Sequence, residues 1–287
     1  MAARGFAAVL TRRVLCRDLD GSMWEALPPA SQALVKSELL ASLRDEEQRY
    51  VYNKVGDTVA VLATTVAGEG GWPELLPFLF QCVQAGQDRL LESSLHIFAE
   101  IITMGVPEAL LQHLDSLHAV LGQCMSSQTA EVRLSALRAC SYFIRELEKP
   151  AHRNKFQDLI PHMLRCLEAA LQSGDENDAQ AALEMFIDVG ENQPRFLRKQ
   201  LVAVVSAVLS VVEMQDLMSD TRQLASEFLI TLAEARDKAP GMMRKLPDFA
   251  PRLFQSCVSF LLDIEDEAEW HSALETHENA GEGELYD

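Results

Sequence analysis

Leu76-Pro77-Phe78-Leu79-Phe80-Gln81-Cys82 comes back twice along the chain, as Ile160-Pro161-His162-Met163-Leu164-Arg165-Cys166 and as Ala250-Pro251-Arg252-Leu253-Phe254-Gln255-Ser256-Cys257. The three prolines are 84 and 90 residues apart, and Cys82, Cys124 and Cys166 are spaced by 42 and again by 42. A unit of about forty residues that recurs in this way, with two amphipathic segments in each, is the pattern of a HEAT or armadillo solenoid. The expected fold is therefore all-α, a right-handed superhelical α-solenoid of HEAT repeats. Such a fold works by presenting surfaces.

Apolar residues at i, i+3, i+4 and i+7 mark about twelve helices. They run near 2–17, 28–43, 45–67, 72–85, 87–104, 107–126, 129–148, 153–173, 175–191, 195–214, 218–237 and 245–263. Pro28-Pro29, the stretch from Gly68 to Trp72, Pro107 and Pro240-Gly241 punctuate them. Second helices align at Asp57, His96, Arg138, Glu184 and Glu227, in steps of 39, 42, 46 and 43. This register divides the chain into an unpaired second helix over 1–17, five pairs over 28–237, a first helix over 245–263 and an acidic tail over 264–287. Solenoids are usually closed by polar capping repeats, and neither end reads as one, so a fragment is expected. Pro77, Pro161 and Pro251 read as bends inside first helices; the alternative places each in the opening turn.

The chain has 287 residues and a net charge of −18, unevenly distributed. Four arginines and no acid precede Asp18, while ten acids and no Lys or Arg lie between Asp263 and Asp287. The start also has the Arg-rich, acid-poor character of a mitochondrial presequence, but the repeat register already accounts for it. Even the body without the tail is acidic, which disfavours phosphate and points to a basic polypeptide as partner rather than nucleic acid. No run is long enough to span a bilayer, so no membrane insertion is expected; the most apolar, Leu201 to Val212, has twelve residues. The cysteines lack C-x-x-C spacing and recur in first helices, which suits buried thiols in a reducing cytosol or nucleus.

Chemistry-bearing motifs are missing. There is no phosphate-binding glycine loop, no dinucleotide fingerprint and no H-E-x-x-H. His113 and His118 are five apart, and Asp175, Asn177 and Asp178 lack the glycine and terminal Glu of a calcium loop. No catalytic residue, metal or cofactor is expected. Binding residues are a different matter. Asp88, Glu92, His96 and Glu100 follow one another at i, i+4 on one helix face. Glu184, Asp188 and Glu191 form a similar stripe, and Glu227 and Glu234 another. If second helices line the concave side, these acids make a wall facing a Lys/Arg-rich ligand, although charge is also the ordinary way to solvate a helix.

Several segments carry a family likeness. Phe6-Ala7-Ala8-Val9-Leu10 with Arg12-Arg13, Lys36-Ser37-Glu38-Leu39-Leu40, Leu95-His96-Ile97-Phe98, Asp158-Leu159-Ile160-Pro161, Arg195-Phe196-Leu197-Arg198 and Arg222-Gln223-Leu224-Ala225 stand in an order that resembles the importin-β (karyopherin-β) superfamily. The importin-beta-three branch is most similar, and the run from Asp263 to Trp270 matches its acidic stretch between repeats. The resemblance implies a receptor that shuttles between cytoplasm and nucleus and carries basic cargo proteins by their nuclear localisation signals. It further implies binding of the Ran GTPase in its GTP form and docking to Phe-Gly nucleoporins. Members are several-fold longer, and the chain starts at what resembles the second helix of their second repeat, so weakened Ran binding is expected. The alternative from a different class is a HEAT scaffold subunit of a phosphatase or chromatin assembly.

Overall fold

The computed structural model describes residues 2–16, 23–66, 71–103, 105 and 108–262. The acidic tail over 264–287, with Trp270, lies outside the described residues, as do Pro107 and most of the Gly68 to Trp72 separator. Among the described residues there is no strand, and twelve helices have ten or more residues. They are α1 Ala2–Cys16, α2 Pro29–Asp45, α3 Arg49–Thr65, α4 Leu75–Gln84, α5 Asp88–Thr103, α6 Leu114–Cys124, α7 Ala130–Glu146, α8 Ile160–Ser173, α9 Glu176–Asn192, α10 Leu201–Glu213, α11 Ser219–Glu234 and α12 Phe249–Leu262. The chain divides into two compact units, Met1–Lys245 and Leu246–Asp287.

The first unit is an α-solenoid. Helices α2/α3, α4/α5, α6/α7, α8/α9 and α10/α11 pack as antiparallel pairs, and α1, α3, α5, α7, α9 and α11 stack side by side as one continuous layer. The core between layers holds Phe98, Phe143, Phe156, Phe186 and Phe228, all 1% exposed or less. Phe143 stacks on Phe156 at 5.7 Å, and Phe186 meets Phe228 edge-on at 5.8 Å, one ring from each of two successive units. Gly190 lets α9 and α11 approach closely, since a Cβ there would sit 3.3 Å from Phe228. In the second unit, α12 is a single amphipathic helix.

Local chemistry sets the helix ends. Asp175 accepts the backbone N–H groups of Asn177 and Asp178 and so caps α9. Arginines at the start of second helices occupy carbonyls left open at first-helix ends, either of the same repeat (Arg133, Arg222) or of the repeat before (Arg89). Arg89 donates to the carbonyls of Leu43 and Glu46, Arg133 to those of Ser127 and Gln128, and Arg222 to that of Val212.

Three expectations need correction. Pro77, Pro161 and Pro251 do not bend helices from within; each lies in the opening turn of α4, α8 or α12, where its missing N–H has no intrahelical partner to lose. The helices expected from 107, 153 and 195 are broken. Glu108–Leu111 is a separate turn, and Asn154–Leu159 and Pro194–Gln200 are 3₁₀ segments that precede α8 and α10. Apolar spacing alone does not distinguish three from 3.6 residues per turn over six or seven residues. Finally, Cys82, Cys124 and Cys166 are buried, but Cys257 is exposed.

Candidate functional site

The second helices α5, α9 and α11 hold every acid singled out as a candidate cargo contact, and the layer treats them differently along its length. Glu92 of α5 is only 7% exposed. It accepts from Arg49 Nε at 2.9 Å and from Tyr52 Oη at 2.6 Å, both on α3. Burial and the neighbouring carboxylate push the Tyr52 phenol well above its usual range, so it stays a donor. Glu92 is thus committed to the α3–α5 seam. Asp88 is exposed but accepts from Thr129 Oγ1 at 2.5 Å. Glu100 is half-buried and His96 contacts Asp57 at 2.8 Å.

Asp57 is the centre of a second polar group. Arg12 of α1 lies 3.2 Å away and Lys54 lies 3.1 Å away. Burial raises its pKa, but hydrogen bonds from His96 and Lys54 outweigh that and lower it to about 2. An ionised carboxylate only accepts, so His96 Nε2 carries the proton in this contact. These bonds link α1, α3 and α5 through residues one repeat apart.

The middle of the face is not acidic. Helix α7 contributes Arg138, Tyr142 and Arg145, of which Arg138 is exposed. Arg145 donates to Glu146 Oε1 at 2.6 Å and to Asp188 Oδ1 at 3.0 Å, and its guanidinium lies 4.7 Å from the Tyr142 ring centroid. Asp188 is therefore partly neutralised, although its Oδ2 is buried without a partner among the described residues. The acid-stripe reading passed over α7 because it followed one sign of charge; Arg138 already stood in the register.

Beyond α7 the face becomes uniformly acidic. Glu184 and Glu191 of α9 and Asp220, Glu227 and Glu234 of α11 are exposed. Neither helix has an exposed base: α9 contains no Lys or Arg, and the one in α11, Arg222, is 7% exposed and donates to Val212 O. Ile230, 42% exposed, lies between Glu227 and Glu234. At the end of the two helices Glu191, Thr231, Glu234, Ala235, Asp237 and Lys238 line a cleft of about 320 Å³. Such a surface can hold cationic side chains in its carboxylates and an alkyl stem against Ile230.

Residues 47–207 match the family described as IPO5-like, TPR repeats. The chain belongs to this importin-5-like family. Residues 214–285 of the importin-5-like chain also match the importin repeat. Helix pairs here recur at 39 to 46 residues, nearer the HEAT length than the 34 of a TPR unit. The chain is similar to the probable importin-5 homolog of Dictyostelium discoideum, 27% identical over 85% of this chain and 22% of the relative. Importin subunit beta-3 of Saccharomyces cerevisiae is 22% identical over the same shares, 85% and 22%. The chain thus spans about a fifth of the length of these curated relatives.

Solved structures of Kap121p share the fold. Kap121p bound to Pho4p superposes with a TM-score of 0.77 at 20% identity, covering 93% of this chain and 25% of that one. Kap121p bound to Nup53p gives 0.76 at 20% identity, with the same 93% and 25%. Kap121p bound to RanGTP gives 0.74 at 21% identity, covering 93% and 24%.

Proposed function

We propose that this importin-5-like chain forms part of a nuclear import receptor and that the α9/α11 face receives the Lys/Arg-rich signal of a cargo protein. One observation carries the reading: two adjacent helices present Glu184, Glu191, Asp220, Glu227 and Glu234 with no exposed base on either helix, Lys238 of the following turn standing at the edge beside Glu191. Attraction over such a face speeds encounter and rejects acidic ligands. Glu92 leaves the candidate set because Arg49 and Tyr52 hold it, Asp88 is engaged by Thr129, and Asp188 is shared with Arg145. Glu100 remains at the front of the face.

The wider role follows from the family. Kap121p has been solved with Pho4p, with Nup53p and with RanGTP, which supports cargo, nucleoporin and Ran-GTP as the partner classes of a receptor shuttling between cytoplasm and nucleus. The chain acts by binding, without catalysis. The test is a fluorescence-anisotropy titration of a labelled Lys/Arg-rich peptide at two salt concentrations, followed by addition of Ran-GTP. Binding should weaken steeply as salt rises, because exposed charges are screened beyond about 8–10 Å. Salt-insensitive binding, or none, would remove the acidic face as the cargo site. Peptide binding that persists with Ran-GTP docked elsewhere would favour a scaffold over a carrier.

A further inference from the structure

The turn that joins α9 to α10 carries Arg195, Arg198 and Lys199 and no acid, in a chain whose net charge is −18. Residues Pro194–Gln200 form a 3₁₀ helix. At three residues per turn, positions i and i+3 eclipse one another. Arg195 and Arg198 therefore stand together on the solvent side, while Phe196 and Leu197, 3% and 0% exposed, are pressed into the core. The next turn, residues 235–248, carries four bases, Arg236, Lys238, Arg244 and Lys245, and two acids, Asp237 and Asp248. Within it Gly241 takes a φ of 69°, a conformation open to glycine, and the chain doubles back on itself. Ala239, Pro240 and Met242 then face Arg195 and Arg198 across a cleft of about 280 Å³.

These two arginines differ from the bases at the earlier turns. Arg89 and Arg133 are occupied by carbonyls, and in the preceding turn Arg153 donates to Leu147 O while Lys155 meets Asp115. Among the described residues no carboxylate lies within ion-pair distance of Arg195 or Arg198. A guanidinium fork matches a carboxylate with two parallel hydrogen bonds, and two forks on one face match two carboxylates. The opposite wall, Ala239, Pro240 and Met242, offers apolar contact.

Size and surroundings select the ligand. Just before Ala239 in the same turn, Asp237 joins Glu191 and Glu234, with Lys238, in lining the second cleft. A polynucleotide with a charge at every residue would run into those carboxylates, whereas a short peptide can present acids to the arginines alone. We propose that the Arg195/Arg198 cleft docks an acidic polypeptide segment in which Asp or Glu residues flank an apolar one.

The test uses the full chain and a fluorescein-labelled peptide of alternating Glu and Leu, followed by anisotropy. Arg195→Glu with Arg198→Glu should weaken binding at least about tenfold, while Arg44→Glu with Arg138→Glu, the same change in net charge elsewhere, should weaken it less than about twofold. A peptide with Ser in place of Leu should bind about threefold more weakly. Circular dichroism checks that the helices persist, and Arg195→Gln with Arg198→Gln replaces the reversal if they do not. Equal losses from both double variants, no binding by the unaltered chain, or tighter binding of a single-stranded oligonucleotide of equal charge would each overturn the proposal.

Discussion

The α3–α5 seam and the α9–α11 face are built from the same kinds of residue at the same repeat positions, yet their acids do different work. At the seam, Glu92 and Asp57 lie against Arg49, Tyr52, Lys54, His96 and Arg12, so charge holds neighbouring repeats together. On the α9–α11 face, Glu184 and Glu227 occupy the register positions of Asp57 and His96 but have no base across the groove between helices. What separates structural from available charge is whether an opposite charge one repeat away comes within bonding distance: Arg145 reaches Asp188, whereas Arg138 forms no ion pair with Glu184 among the described residues. An acid counted on a helical wheel says nothing of this until its lateral neighbour is known.

The largest effect that separates the two regions is on stability. Glu92→Ala removes a carboxylate that two donors share and leaves Tyr52 without its partner, at a cost of about 2–3 kcal/mol. Glu227→Ala is expected to stay within about 0.5 kcal/mol. Urea unfolding followed by circular dichroism measures both, and equal effects would erase the distinction. Repeat arrays do not always unfold in a single step, so the comparison uses the whole curve rather than one midpoint.

A smaller effect is the acid response. The pKa of Asp57 is about 2 in the folded chain, and an unfolded Asp titrates near 4. Because the folded value is the lower one, its contribution is fully present above about pH 4 and is lost as the pH falls from there toward 2. His96→Ala removes a main cause of the lowering, so less stability should be lost between about pH 4 and pH 2 in that variant than in the parent chain. Glu184→Gln should leave the acid limb unchanged.

The smallest effect concerns the thiols. Burial raises Cys124 to about 11 and Cys166 to about 12, so both remain protonated at neutral pH and shielded. Cys257 is exposed and should react with a maleimide within minutes, while Cys124, Cys140 and Cys166 react only after denaturant is added. Mass spectrometry of the labelled peptides counts them. Rapid labelling of Cys124 or Cys166 would mean that first helices open far more readily than their packing implies.

The fold was legible because a solenoid writes its period into the order of its apolar residues: five second helices align from Asp57 to Glu227 in the sequence alone. The prolines misled because a first-turn and an interior proline look alike until the helix start is known, and the 3₁₀ segments before α8 and α10 are too short for apolar spacing to reveal. The acids were found, but not their partners. A usable signal existed. Arg49 and Glu92 are 43 residues apart, Asp57 and His96 39, Arg145 and Asp188 43, each close to one repeat, so opposite charges at that separation mark a bonded seam. Glu184 has Glu227 at that distance on one side; on the other, Arg138 lies 46 residues before it, and no ion pair joins the two among the described residues, so the face is left open.

The most direct test of this account is a paired charge reversal read by binding of one Lys/Arg-rich peptide to the full chain. One variant changes Glu184, Glu227 and Glu234 to Lys; the other changes Asp45, Glu47 and Asp88 to Lys, an equal number of exposed acids at the front. The account predicts that the first loses at least about tenfold in affinity and the second less than about threefold. Equal losses would show that only total charge matters, and would contradict the claim that the open α9–α11 acids form the binding face.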